Sequence, residues 1–358
     1  TKRHDCSRME QGQESKVEEN SENGTLLNKI DVSTKQISDF QRFWAYVGSP
    51  EFSYLASPSP VKDGSHSSDT FLSSVPRVSV TEAAQIEESI TNLSPLIIEG
   101  AVQEWPCFTR WTWEFFQHTL GETPVSVDVQ GARRVQTLGE YISSFLPQDD
   151  DKTFMEGSDD SLKQEDAPPY LRLWHYEMTH PELSDDFEVL PSFEDWFNKL
   201  PQQLRPQPAP HWIFIGPAGT YTPLHLDPWA THAWFAQLSG QKRFTLFPPS
   251  ETLKICNGSE FADLREPDLT RFPQLVECHP LTFNLSPGEL LFLPCGWAHT
   301  VTSLDPSISL THNFLDKQQF QNVRMAYLMS KMQKAFSSEE SSPDRGIKQS
   351  TMNENQAI

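Results

Sequence analysis

Basic side chains are scarce in this 358-residue chain: 28 lysines and arginines stand against 49 aspartates and glutamates, a formal net charge of −21. A surface of that sign repels a phosphate backbone, so nucleic acid is not expected as a partner. Cysteine is sparse too. Cys6, Cys107, Cys256, Cys278 and Cys295 are odd in number and scattered, with no C-x-x-C pair. That spacing suggests neither a disulfide framework nor a zinc ribbon, and it fits a reducing compartment, cytoplasmic or nuclear. No apolar run approaches the roughly 20 residues of a membrane span, and the polar, charged N-terminal stretch lacks the apolar core of a secretory signal. No membrane association is therefore expected. Only 16 glycines without a triplet repeat exclude collagen, and 28 prolines exclude a long coiled coil.

What is present is a turn-rich, aromatic-bearing pattern between polar ends. Residues 1–37 and 337–358 are rich in Glu, Ser, Lys and Asn with few large apolar side chains, and both read as disordered tails. Residues 38–74 read as a docking segment followed by a Ser/Pro/Gly linker, and 75–200 as a mixed α and β region. Helix starts are expected at Thr81, at Thr137 with Glu140, and at Ser192 with Asp195, giving helices near 82–91, 112–120, 138–146 and 193–200. The β-branched runs at 95–101 and 124–130 read as strands. Between 148 and 168 eight acidic residues face Lys152 and Lys163, a loop of net charge −6 that reads either as a solvated insertion or as a face for a basic protein substrate.

From His211 the character changes. HWIFI, TPLHL, HAWFAQL, KRFTLF, HPLTFNL, GELLFLP, HTVTSL and SISLTHNF are eight short strand-like runs separated by Gly, Pro, Ser or Asp, the pattern of a jelly roll or barrel. Asp316 with Gln319 then offers a cap for a C-terminal helix to about Lys334, a candidate oligomer contact, which completes a core region of 201–336.

The chemistry concentrates in Thr222-Pro223-Leu224-His225-Leu226-Asp227-Pro228. Strand alternation puts His225 and Asp227 on one face, although one H-x-D pair arises easily by chance. His299, after GELLFLP and Cys295-Gly296-Trp297, is a third candidate. Distant strands neighbour one another in a jelly roll, so the three residues suit a 2-His-1-carboxylate triad with an open side, the arrangement that suits Fe(II) binding a cosubstrate and dioxygen together.

GPAGTYTPLHLDPWATHAWFAQLSGQKRFTLFPP followed by LSPGELLFLPCGWAHTVTSLDPSISLTHNF resembles the JmjC (jumonji C) family of Fe(II)- and 2-oxoglutarate-dependent oxygenases, in particular its small hydroxylases related to the JmjC lysyl hydroxylases. The resemblance covers about residues 95–320. It implies a mainly β fold with flanking helices around a double-stranded β-helix (cupin) core, with His225, Asp227 and His299 as catalytic iron ligands. The distal carboxylate of 2-oxoglutarate needs a buried cation in such a barrel. Lys242, seventeen residues after His225, has the spacing of that branch, and Thr222 matches a hydroxyl donor to the same carboxylate. Thr311 and Asn313 match positions lining the cosubstrate pocket. The stretch 170–176 matches the pocket entrance, without a residue to single out. Trp234 is expected to pack, and His232, His279 and His312 to lie on the surface or behind the ligands.

The resemblance implies hydroxylation of a protein residue, with lysine among the candidate targets. The same oxidant also serves N-methyl-lysine or arginine demethylation. A catalytically silent cupin that binds a partner is the alternative outside enzymology. After Asp227 the sequence Pro228-Trp229-Ala230-Thr231 lacks the further ligands of an isomerase-type or storage cupin.

Overall fold

The structure, a computed structural model, describes residues 74–146, 167–258 and 260–325. The tails, nearly all of the 38–74 segment, most of the 148–168 loop and the end of the C-terminal helix lie outside the described residues. The N-terminal part runs β1 (Arg77–Ser79), α1 (Ala83–Thr91), β2 (Leu96–Glu99), α2 (Pro106–Arg110), the hairpin β3 (Pro124–Val129) and β4 (Ala132–Thr137), α3 (Leu138–Ser143) and β5 (Leu171–Trp174). Then come β6 (His211–Gly216), β7 (Tyr221–His225), β8 (His232–Ser239), β9 (Lys242–Phe247), the short α4 (Thr252–Ile255), β10 (Cys256–Asn257) and β11 (Glu260–Phe261). Strands β12 (Leu281–Leu285), β13 (Leu290–Leu293), β14 (Ala298–Ser303) and β15 (Ser307–Phe314) follow, and α5 occupies 317–325. Among the described residues no helix is long and apolar enough to cross a membrane.

All eight runs expected from His211 onward are strands, and they divide equally between two sheets. One sheet has seven strands in the order β1-β2-β13-β8-β15-β6-β5, and the other four, β12-β9-β14-β7. From β6 on, successive core strands alternate between the two sheets, except that β9 and β12 pair within the smaller one, the winding of a double-stranded β-helix. The residue alternation explains the runs. On β6, Trp212 and Phe214 point between the sheets, while Ile213 and Ile215 point to the other face. That outer face is covered by Ile86 and Ile90 of α1, Trp105, Phe116 and Tyr141 of α3, so the large sheet is buried on both sides and its strands read as near-continuous apolar stretches.

Local sequence decides the helix ends. Thr137 and Glu140 form a reciprocal capping box at α3, as expected. Asp316 caps α5 through the backbone N–H of Gln319, 2.6 Å away. Two expected caps are corrected. Thr81 does not cap α1, whose N-cap is Glu82 without a side-chain bond, because the Thr81 hydroxyl pairs with Ser79 instead. Ser192 spends its hydroxyl on Glu87, and 193–200 forms no α-helix: 3₁₀ turns occupy Pro191–Phe193 and Trp196–Lys199, the second capped by Asp195. The helix expected over 112–120 is shorter and ends as a π-turn at Phe115–Thr119.

Candidate active site

Strand β7 lies at the edge of the four-stranded sheet, hydrogen-bonded to β14, and the register sets His225 directly opposite His299. Their rings stand 4.2 Å apart between centroids. Asp227, just past the end of β7, brings its carboxylate to 4.0 Å from His225 Nε2. The ligand atoms of His225, Asp227 and His299 all lie within 4.8 Å of one another. Both imidazoles are oriented in the same way. Nδ1 of His225 lies 2.8 Å from the carbonyl of Pro223, and Nδ1 of His299 lies 3.1 Å from the carbonyl of Trp297. Each carbonyl can only accept, so each Nδ1 donates, and in the neutral ring it is Nε2 that offers its lone pair to the cavity. Burial and the neighbouring His299 ring hold the His225 imidazole below its ordinary pKa, so it stays neutral and competent as a ligand. Two free Nε2 atoms and a carboxylate, with a cavity on the remaining side, fit an octahedral divalent metal with open positions.

That cavity, about 310 Å³, runs inward between the sheets. Its lining includes His225, Asp227, His299, Thr222, Lys242, Thr311 and Asn313, so every site residue expected from the sequence faces one space. Lys242 is wholly buried. Its Nζ donates to the Tyr170 hydroxyl at 3.0 Å and sits 5.3 to 5.5 Å from the rings of Tyr170, Phe214 and Phe235. No carboxylate pairs with it among the described residues, and burial alone pulls its pKa down to about 7. A lysine with no anion at the end of a cavity fits a ligand that brings its own carboxylate. Two more polar atoms await partners there: Thr311 Oγ1 and Asn313 Oδ1 are buried without a hydrogen bond, while the Asn313 amide is held by Thr231 Oγ1 at 2.8 Å.

Tyr170 is the residue that sequence reasoning left unresolved. It opens the 170–176 stretch, and the structure places its phenol on Lys242 with a further side-chain hydrogen bond to Thr222. The signal was the aromatic-basic stretch ahead of the core; the pairing needs the fold. Trp234 packs, as expected, in the outer core. His232 and His312 are buried rather than on the surface, whereas His279 is exposed. His232 Nδ1 accepts the backbone N–H of Cys295 at 3.1 Å, and His312 bonds the Tyr176 hydroxyl at 3.0 Å. Glu177, His211 and His312 also cluster, but the two imidazoles stack at 3.7 Å and 8°. Lone pairs in parallel planes cannot converge on one ion, so this cluster is a packed hydrogen-bonded stack.

A family model described as a cupin-like domain matches residues 82–344. The chain is similar to lysine-specific demethylase JMJ21 of Arabidopsis thaliana, 28% identical over 239 residues, which cover 63% of this chain and 24% of that protein. It is similar to the 2-oxoglutarate and iron-dependent oxygenase JMJD4 of Danio rerio, 27% identical over 244 residues, covering 63% of this chain and 56% of that one. Lysine-specific demethylase 8 of Xenopus tropicalis is 26% identical over 231 residues, 61% and 47% of the two chains. The chain thus spans about half or less of the length of these relatives. With two sheets wound as a cupin, the three ligand-competent side chains at their mouth and a match over most of the sequence, the chain belongs to the cupin-like family, in its JmjC branch.

Proposed function

We propose that this protein is an Fe(II)- and 2-oxoglutarate-dependent oxygenase that hydroxylates a side chain of a protein substrate. The observation that carries the reading is the joining, in one cavity, of an open metal-competent triad to a buried lysine that has no anion. His225 Nε2, Asp227 and His299 Nε2 would hold the iron. Lys242, with Tyr170 and Thr222, would hold the distal carboxylate of 2-oxoglutarate, and Thr311 and Asn313 present the remaining polar atoms. When bound, the metal with 2-oxoglutarate and dioxygen supplies C–H oxidation, one oxygen atom leaving in succinate as carbon dioxide is released and the other entering the substrate.

The chain's own groups bind, orient and exclude. The Pro223 and Trp297 carbonyls fix both imidazoles, so neither ring must rotate when the metal enters. The phenol of Tyr170 is pushed above its ordinary pKa by burial and stays protonated beside Lys242, so it adds a dipole and no competing anion. Phe214, Phe235, Phe244 and Leu293 wall the cavity and keep water from it. Demethylation of a methylated lysine or arginine is the second reading, favoured by the names of relatives such as JMJ21. The test is anaerobic binding of Fe(II) and 2-oxoglutarate, followed by aerobic succinate release and mass spectrometry of proteins captured on the metal-substituted enzyme. A gain of one oxygen atom in a captured protein supports hydroxylation, and formaldehyde supports demethylation. An absence of metal-dependent 2-oxoglutarate binding overturns both.

A further inference from the structure

Of the three residues that would hold the metal, only Asp227 stands off the β-ladder. His225 and His299 face each other across β7 and β14, and each ring is tied to a main-chain carbonyl. Asp227 lies past the end of β7, and its carboxylate caps no backbone group of the turn that follows. Its place is therefore set by the chain on its far side. Pro228 restricts Asp227 to extended backbone, observed at φ −61° and ψ 142°. Beyond the proline the chain passes through Trp229 and Ala230, both left-handed at φ 59° and 49°. Two consecutive residues with a Cβ in that region are costly, and they persist only where their surroundings hold them.

The turn is held from two elements. Thr231 Oγ1 donates to the Pro228 carbonyl at 2.8 Å and accepts the Asn313 amide at 2.8 Å, which ties the end of the turn to β15. The other hold comes from the C-terminal helix. Gln319, buried in the first turn of α5, donates from Nε2 to the Ala230 carbonyl at 2.9 Å. Ala230 is itself buried, so its carbonyl needs such a donor. The amide is aimed by its neighbours: Gln319 Oε1 accepts Asn322 Nδ2 at 3.1 Å, and Asn322 Oδ1 accepts Gln318 Nε2 at 3.1 Å. With its oxygen engaged on the helix, Gln319 presents its NH₂ to the turn. Residues 227–230 thus form a short stiff arm, with the ligand carboxylate at one end and the helix amide at the other.

Resting on the metal triad of the oxygenase reading above, we propose that Gln319 is a positioning residue for Asp227: by holding the Ala230 carbonyl it keeps the left-handed pair in place, and the pair sets the carboxylate where it can join His225 and His299 on one ion. The effect is confined to one ligand. Both imidazoles keep their orientation from the Pro223 and Trp297 carbonyls, which do not depend on the turn.

The test uses the full chain and Co(II), whose affinity is read by competition with a chromophoric chelator and whose unpaired electrons shift the proton resonances of its ligands. Gln319→Met keeps the length of the side chain and removes the donor. Its Co(II) affinity should fall about tenfold, the lower end of what losing an outer partner costs a metal site. The shifted Asp227 β-proton signals, identified by selective deuteration of aspartate, should move or broaden, while the two shifted Nδ1–H signals of His225 and His299 stay. Asn322→Ala frees the Gln319 amide without touching the core, and should weaken Co(II) in the same direction by less. Val323→Ala, a cavity variant at a buried position of the same helix, should lower the thermal unfolding midpoint comparably and leave affinity and Asp227 signals unchanged. Wild-type affinity and Asp227 signals in both Gln319→Met and Asn322→Ala overturn the proposal. An equal loss of Co(II) affinity in Val323→Ala also overturns it, because the helix then gives only general support. Failure of the wild type to bind Co(II) is a different result: it removes the triad reading, and the proposal with it.

Discussion

A buried ammonium without a counter-charge is the most costly single feature of the site, and it makes Lys242 measurable without any substrate. Its pKa falls to about 7 in the ligand-free protein against 10.5 for a free lysine. Between those values the unfolded chain holds a proton that the folded one lacks, so the stability of the ligand-free protein should rise with pH across that window. Binding an anion restores the ammonium. Above pH 7, 2-oxoglutarate binding should therefore take up a proton and weaken by up to about tenfold per pH unit, which calorimetry in buffers of different ionisation enthalpy measures. In Lys242→Met the uptake should vanish, and the dissociation constant for 2-oxoglutarate should rise at least about a hundredfold, since breaking a buried ion pair costs about 3–5 kcal/mol. An unchanged proton uptake would assign the carboxylate to another cation. His225→Ala or Asp227→Ala should abolish metal binding with the far-ultraviolet dichroism intact, because two ligands do not hold an open-site metal and both residues lie at the mouth rather than in the core. These residues were legible in the sequence because each is tied to a short spacing, H-x-D or a fixed distance along successive strands. Tyr170 was not, and Gln319 was legible only as a partner of the Asp316 cap. Their roles at the site depend on contacts with residues seventy or more positions away, which no local pattern encodes.

Legibility at the scale of elements follows burial. The eight core strands announce themselves because one or both faces are apolar, whereas β4 is exposed over Ala132–Val135 and has no face to declare. Its better signal was the turn: Gln130 and Gly131 both take positive φ, 54° and 82°, a two-residue hairpin of the kind that accompanies right-twisted strands. The expected helix at 193–200 failed for the opposite reason: Ser192 and Asp195 are good cap residues, but Ser192 is engaged by Glu87, and Asp195 caps only a 3₁₀ turn while the same oxygen also accepts the backbone N–H of Leu315. Two substitutions test the local rules. Thr137→Ala removes one half of the α3 capping box and should cost about 1 kcal/mol in denaturant unfolding. Gly240→Ala should cost more, at least about 2 kcal/mol, with the midpoint of urea unfolding as the measure. Gly240 sits at φ 69° in the β8–β9 turn, and a methyl there would lie 2.2 Å from the Pro306 carbonyl oxygen. A neutral Gly240→Ala would mean that this turn moves freely, and with it the start of β9 that carries Lys242.

Among the described residues the two larger sheets close on the cavity that holds the site, and the site draws on both of them. His225, His299 and Lys242 belong to the four-stranded sheet, with Asp227 just beyond it, while Thr311 and Asn313 stand on β15 of the larger one. A metal alone engages one sheet. A 2-oxoglutarate molecule reaching from the metal to Lys242 would touch polar atoms of both, and it would neutralise the ammonium whose burial weakens the ligand-free fold. The two ligands should therefore stabilise the protein together by more than the sum of their separate effects, because 2-oxoglutarate finds its full set of partners only when the metal is present. Any ligand that binds the folded state alone adds RT ln(1 + [L]/Kd), about 2.7 kcal/mol at a hundredfold excess over Kd. Thermal unfolding with neither, with Zn(II), with 2-oxoglutarate, and with both should thus show a small shift for the acid alone, a larger one for the metal, and the largest for the pair. The variants separate the contributions. Lys242→Met should keep the metal shift and lose the increment from 2-oxoglutarate, whereas Asp227→Ala should lose both. An additive outcome, or an increment that survives in Lys242→Met, would place the acid somewhere other than the cavity between the sheets.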